Sequence, residues 1–170
     1  KDNPYREDRE QLRELLKQYE NLKNGRQNSF IEEDAFEKII EYYQEKDEIP
    51  KALEAAEIGS TQFPYSSLLM IKKADILIAA RQYRESLSVL EDASLLDSSN
   101  INLYILKTDA YLALDQQEKA VVLLEEALNL FEGEEKIELL FELADVYDDY
   151  EDFDKVFDCL KMILEEEPIN

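Results

Sequence analysis

Charged residues interrupt the apolar ones every two to four positions throughout the chain, the spacing of helices with one buried face rather than of half-buried strands. The first such stretch is Leu12, Leu15, Leu16, Tyr19 and Leu22, within a helix expected over about residues 5–23 and closed by Asn24-Gly25.

Beyond it the pattern repeats. Tyr43, Leu77 and Tyr111 stand 34 residues apart, and Tyr147 follows after 36. Nine residues after each come Ala52, Ser86, Ala120 and Val156, and four further on Ala56, Leu90, Leu124 and Leu160. Gly59, Ala93, Ala127 and Ile163 follow in step, then Pro64, Ser98, Glu132 and Pro168 where each unit ends; Ile40, Ala74, Thr108 and Ala144 lie three residues before the Tyr column. Small residues at fixed places let two helices approach closely, while large ones fill the space between successive pairs.

These columns resemble the tetratricopeptide (TPR) repeat family, which couples a first-helix aromatic to Ala and a bulky residue in the second helix, then Pro. The chain departs from that family in lacking the first-helix Trp and the Leu-Gly pair, and in having only two of four terminal prolines. The resemblance implies an all-α fold, a right-handed superhelical array of antiparallel helix pairs. Four units are expected at 33–66, 67–100, 101–136 and 137–170, after a segment 1–32 that is an N-terminal cap or a partial repeat.

First helices are expected near 33–46, 67–80, 101–114 and 137–150, and second helices near 50–63, 83–97, 117–131 and 153–166. Pro50 suits a first helical turn, and Asp115 with Glu118 and Ser29 with Glu32 have capping-box spacing. The two extra residues fall near Glu132, Gly133, Glu134 and Glu135, where a longer loop is expected.

A formal charge of −22 repels phosphates, so nucleic acid and anionic membrane surfaces are poor partners. No run approaches the roughly 18 apolar residues of a membrane-spanning helix. Residues Lys1 to Arg13 lack the apolar stretch of a secretory signal, and a cytoplasmic location is expected. Cys159 is the only cysteine and histidine is absent, which excludes an internal disulfide, Cys/His zinc sites and histidine general bases. The chain is therefore not read as an enzyme, and no cofactor or metal is expected. The run Asp145, Asp148, Asp149, Glu151, Asp152 and Asp154 lacks the glycine and spacing of a calcium loop. A carboxylate-only hydrolase remains an alternative with no pair of acids singled out.

In the family it resembles, first helices line a concave groove that takes peptides. Two residues before the Tyr column stand Glu41, Asp75, Asp109 and Asp145, an acid in every unit. They are either a solvated face or a ladder for cations. Ile71, Ile78, Ile105 and Leu112 are the other groove positions of the middle units, expected as an exposed apolar strip, and at the ends these become Glu37, Gln44, Phe141 and Asp148. The partner implied is a polypeptide mixing basic and apolar side chains, held by an interaction scaffold. Relatives that clamp acidic chaperone tails use Lys, Arg and Asn in these columns, so that function is not expected. Tyr43, Tyr111 and Tyr147 are assigned to packing, and Cys159 to a structural thiol.

The other reading is a structural or oligomerisation segment of a larger repeat protein, since the chain stops two residues past Pro168, at a unit boundary. Phe157, Leu160, Met162, Ile163 and Leu164 exceed what Leu140, Leu143 and Ala144 can cover, so a weak homodimer through the C-terminal helix is expected.

Overall fold

The computed structural model describes residues 3–26 and 30–167, among which there are nine α-helices and no strand. They run α1 (Pro4–Lys23), α2 (Glu33–Glu45), α3 (Ile49–Gln62), α4 (Ser67–Ala79), α5 (Tyr83–Leu96), α6 (Ile101–Ala113), α7 (Gln117–Ala127), α8 (Gly133–Asp149) and α9 (Phe153–Glu166). From α2 onward they form four hairpins.

The hairpin turns share one backbone design. Asp47, Arg81, Asp115 and Glu151 adopt the left-handed region, with φ of 55°, 62°, 59° and 59°. The next residue's N–H reaches back to the carbonyl of the Tyr-column residue: Glu48 to Tyr43 (2.9 Å), Gln82 to Leu77 (2.8 Å), Gln116 to Tyr111 (2.8 Å) and Asp152 to Tyr147 (2.9 Å). With a second bond from the left-handed residue itself to the carbonyl three residues back, each turn closes the first helix as a Schellman motif and satisfies carbonyls that the helix leaves unpaired. Asp115 is thus a turn residue and not a helix cap; α7 starts from Gln116 without a side-chain cap. Likewise α2 starts from Glu32 with no side-chain cap, and its expected partner Ser29, like Pro168, lies outside the described residues.

Between the two helices of a pair the small columns are fully enclosed: Ala52, Ser86 and Ala120 are 0% exposed, as are Ala56, Leu90 and Leu124. Ser86 fits the alanine column because its hydroxyl donates to the Ala74 carbonyl (3.0 Å), so its own buried oxygen is not left orphaned. Tyr43 and Tyr147 are buried and Tyr111 is half-buried. Lys51, Lys119 and Lys155 lie over these three rings at 5.9, 6.0 and 5.2 Å, contacts of roughly 0.5–1 kcal/mol at exposed sites. In the second hairpin, where the ring is replaced by Leu77, the lysine is replaced by Glu85.

The first helices α2, α4, α6 and α8 touch one another in succession, whereas no second helix touches another second helix, and no helix touches one more than two places away. The stack therefore curves with the first helices on its inner wall. At the amino end α1 packs on α2 through Tyr19, which is buried against Tyr43 at 6.3 Å, and Lys23 pairs with Glu54 of α3. Residues 4–11 of α1 stay exposed.

The third junction differs from expectation. Glu132 ends the connection, and Gly133–Glu135 are helix rather than loop: α8 begins at Gly133, whose φ of 64° starts the helix sharply, and runs 17 residues against 13 in α2, α4 and α6. The space is made by α7, which ends at Ala127 rather than 131, because the following turn carries Phe131 inward onto Tyr104 at 5.5 Å. Glu134 and Glu135 then sit at the positive end of the α8 dipole, where carboxylates are favoured.

Candidate peptide-binding groove

The inner wall presents the residues two, five and six places before each Tyr-column residue, one helical turn apart on one face. Glu41 accepts from Lys72 at 2.8 Å, an ion pair linking α2 to α4 across 31 residues. The Gln44 amide donates to Asp75 at 3.1 Å across the same junction. The acid of one unit thus meets whatever stands five residues before the Tyr column of the next.

That column reads Lys38, Lys72, Leu106 and Glu142. By the same register the place opposite Asp75 falls to Leu106, which offers no charge, and the place opposite Asp109 to Glu142, which offers the wrong one. Partial desolvation in the groove and then the neighbouring Asp75 push the Asp109 carboxyl above its ordinary range, although the residue as a whole is exposed. Half-buried Glu142 is raised for the same reasons, desolvation first and then Asp109, Asp145 and Glu138. Among the described residues no Lys or Arg pairs with Asp75, Asp109, Asp145 or Glu142.

The four acids named from sequence thus divide in two. Glu41 and Asp75 have partners within the fold; Asp109 and Asp145 join Glu142 and Glu138 in a stretch of like charge. The sequence reading missed Glu142, and the signal that finds it runs diagonally, from an acid in one unit to the preceding turn of the next. At the amino end Lys38 and Lys72 stand among the acids Glu37 and Glu41.

The apolar strip needs a correction. Ile71 is 6% exposed, enclosed by Leu90, Ala93 and Leu103, and belongs to the core. Ile105 and Leu112 are half-buried against the core of the third and fourth pairs, and Ile78 is half-buried as well. Phe141 is 50% exposed and supplies apolar surface beside the acids. A separate cleft of about 530 Å³ opens between α1 and α2, lined by Leu12, Leu15, Lys38, Glu41, Tyr42 and Glu45 among others. Elsewhere, burial followed by the nearby Asp158 and Glu125 pushes the Cys159 thiol up, away from the thiolate a nucleophile needs. Among the described residues no group of three or more acids or Cys gathers as a metal site, and no helix is long and apolar enough to cross a membrane.

No family model matches the chain, and no curated protein matches its sequence. Solved structures match its shape. A thermophilic TPR protein of Thermus thermophilus, TTC0263, superposes with a TM-score of 0.69 at 22% identity, over 92% of this chain and 82% of that one. MamA (41-end) of Desulfovibrio magneticus RS-1 gives 0.71 at 19% identity, over 92% and 84%. The first TPR of Spaghetti (RPAP3), bound to the HSP90 peptide SRMEEVD, gives 0.60 at 19% identity, over 69% and 92%. With its hairpins recurring every 34 to 36 residues and stacked inner helix to inner helix, the chain has the tetratricopeptide-repeat fold.

Proposed function

We propose that the chain is a protein-interaction scaffold whose concave face holds a partner polypeptide carrying Lys or Arg beside apolar side chains. The observation that carries this reading is the Asp109–Glu142 juxtaposition: the same junction upstream is closed by the Glu41–Lys72 pair, and here two acids face each other instead. A cation from a partner would relieve that repulsion, while its apolar neighbours would cover Phe141 and the exposed edges of Ile105 and Leu112. RPAP3 offers a precedent for a TPR bound to a peptide, but its ligand SRMEEVD is acidic and has the wrong sign for this face.

The test is calorimetry with a short peptide alternating Lys and Leu. The Asp109→Asn, Glu142→Gln double variant should bind about tenfold more weakly, near 1.4 kcal/mol, and Glu57→Gln on the outer helix α3 should bind as the wild type does. Equal affinity of the wild type and the double variant would reduce the acids to a solvated face.

A further inference from the structure

The second helices α3, α5 and α7 do not touch, so the outer surface has a groove between each two, floored by the first helix packed on both. Eleven places after the Tyr column, each second helix offers a residue to the groove before it. Glu54 fixes that direction by reaching back to Lys23 of α1, and Val122 by lining a cavity of about 400 Å³ with Tyr111. Fourteen places after the column, it offers a residue to the groove that follows. There Glu125 accepts from the Tyr147 hydroxyl (2.9 Å) and Glu91 pairs with Lys107 (2.9 Å). The residue eighteen places on lies one turn further along that same face.

Both columns are polar except at one groove. Eleven places on they read Glu54, Ser88, Val122 and Asp158, and eighteen places on Thr61, Leu95, Asn129 and Glu165. The two apolar residues, Leu95 on α5 and Val122 on α7, stand on the two walls of the same groove, the one floored by α6. They are 87% and 53% exposed. Tyr111 in that floor is half-buried, where its equivalents Tyr43 and Tyr147 are buried. One turn to either side of Val122 stand Glu118 and Glu126, which line the same cavity and have no ion-pair partner among the described residues. Lys119, which also lines it, lies over the Tyr111 ring. The groove is thus apolar within and acidic along its α7 rim.

We propose that the groove between α5 and α7 receives a basic amphipathic α-helix of a partner protein, at a second site on the face opposite the inner wall. A helix suits it because the backbone groups of α5 and α7 are satisfied within those helices, so an extended chain would find no partners there for its own. Leu95 and Val122 stand seven places apart in register on helices that run the same way, about 10 Å at the helical rise. That is two turns of a helix laid along the groove, whose apolar residues then recur at steps of four and three. Lysines or arginines beside that stripe meet Glu118 and Glu126. A second copy of this chain would bring −22 against −22, whereas a basic helix is drawn in and its hold weakens as salt is added.

The test is a methyl-labelled NMR titration with a peptide carrying leucines at steps of four and three flanked by lysines, about 18 residues long so that its helix holds. The Leu95, Val122 and Leu123 methyls should shift saturably. Giving each wall a residue that other units carry there, Val122→Ser with Leu95→Asn, should leave the circular dichroism spectrum unchanged and weaken this binding more than about tenfold, since two apolar side chains are no longer covered. Glu118→Gln with Glu126→Gln should weaken it about fivefold and flatten its salt dependence, the scale of two exposed ion pairs. The Asp109→Asn, Glu142→Gln variant should bind at the outer groove as the wild type does, so the two sites stand or fall separately. No shift at Leu95 and Val122, or shifts confined to Ile78, Ile105 and Leu112 of the inner wall, would overturn the outer site. Equal binding of a proline-interrupted peptide of otherwise the same composition would overturn the helix. Shifts at Val122 that grow with protein concentration alone would give the groove to a second copy and overturn the basic partner.

Discussion

Glu41 and Asp109 occupy the same place in their repeats and have opposite surroundings. Lys72 closes the first; Glu142 repels the second. The backbone around them is the same, down to the left-handed residue in each turn, so the difference lies in one side chain contributed by the next repeat. A repeat position therefore has no fixed chemistry of its own. It takes its meaning from the junction, and a single exchange converts a structural ion pair into an open anionic site.

The largest expected effect comes from making the second junction resemble the first. Glu142→Lys supplies Asp109 with a partner and should abolish binding of a Lys/Leu peptide, by more than about tenfold, while thermal melting shows a native or slightly raised midpoint. Retained binding would mean the site lies elsewhere on the groove.

The converse change is Lys72→Glu, which opens the first junction. It should cost about 1 kcal/mol in urea unfolding, the upper end for an exposed pair, and should create a second weak site for the same peptide. No loss of stability would show that the Glu41–Lys72 contact is incidental.

Acid should separate the two regions further. The Asp109 and Glu142 pKa values are raised in the folded chain, so their ionised forms oppose folding. The stability they withhold is fully restored below the ordinary carboxylate range and lost as pH rises through their folded values. The stability gained by the Asp109→Asn, Glu142→Gln variant over wild type should accordingly be present at neutral pH and vanish in acid. Peptide affinity should fall over the same interval, since protonation removes the charge that a cation meets. A pH-independent stability difference would contradict the shared origin of the two shifts.

The smallest effect concerns what both regions share. Arg81→Gly relieves a left-handed non-glycine residue and should stabilise by about 0.5 kcal/mol, the strain relief being partly offset by the freer unfolded chain. Peptide affinity should not change. A changed affinity would implicate backbone geometry in the contrast between the junctions.

The architecture was legible because each helix pair repeats the same burial problem, so that the Ala52, Ser86 and Ala120 column and the Tyr43 column recur at a fixed interval. Punctuation was harder. Gly133 looks like a loop residue, and only the inward pull of Phe131 onto Tyr104 shows why α7 stops early and α8 starts there. Asp115 has the spacing of a cap, but the Tyr111 carbonyl claims the turn. In the groove, reading down a column finds Asp109 and Asp145 but misses Glu142, because the contacts run diagonally between columns. Ile71 looked exposed for a related reason: periodicity places a residue on a face without saying which neighbour, here Leu103 of α6, closes over it.

The four Schellman turns carry a consequence for how the chain reaches its shape. Each turn joins residues no more than five apart, and no helix depends on one beyond its second neighbour. Ordering therefore requires only short loop closures, which places the protein among fast-folding topologies. Opening is correspondingly local: the last hairpin can come undone while the first remains folded, with hydrogen exchange graded along the stack rather than uniform.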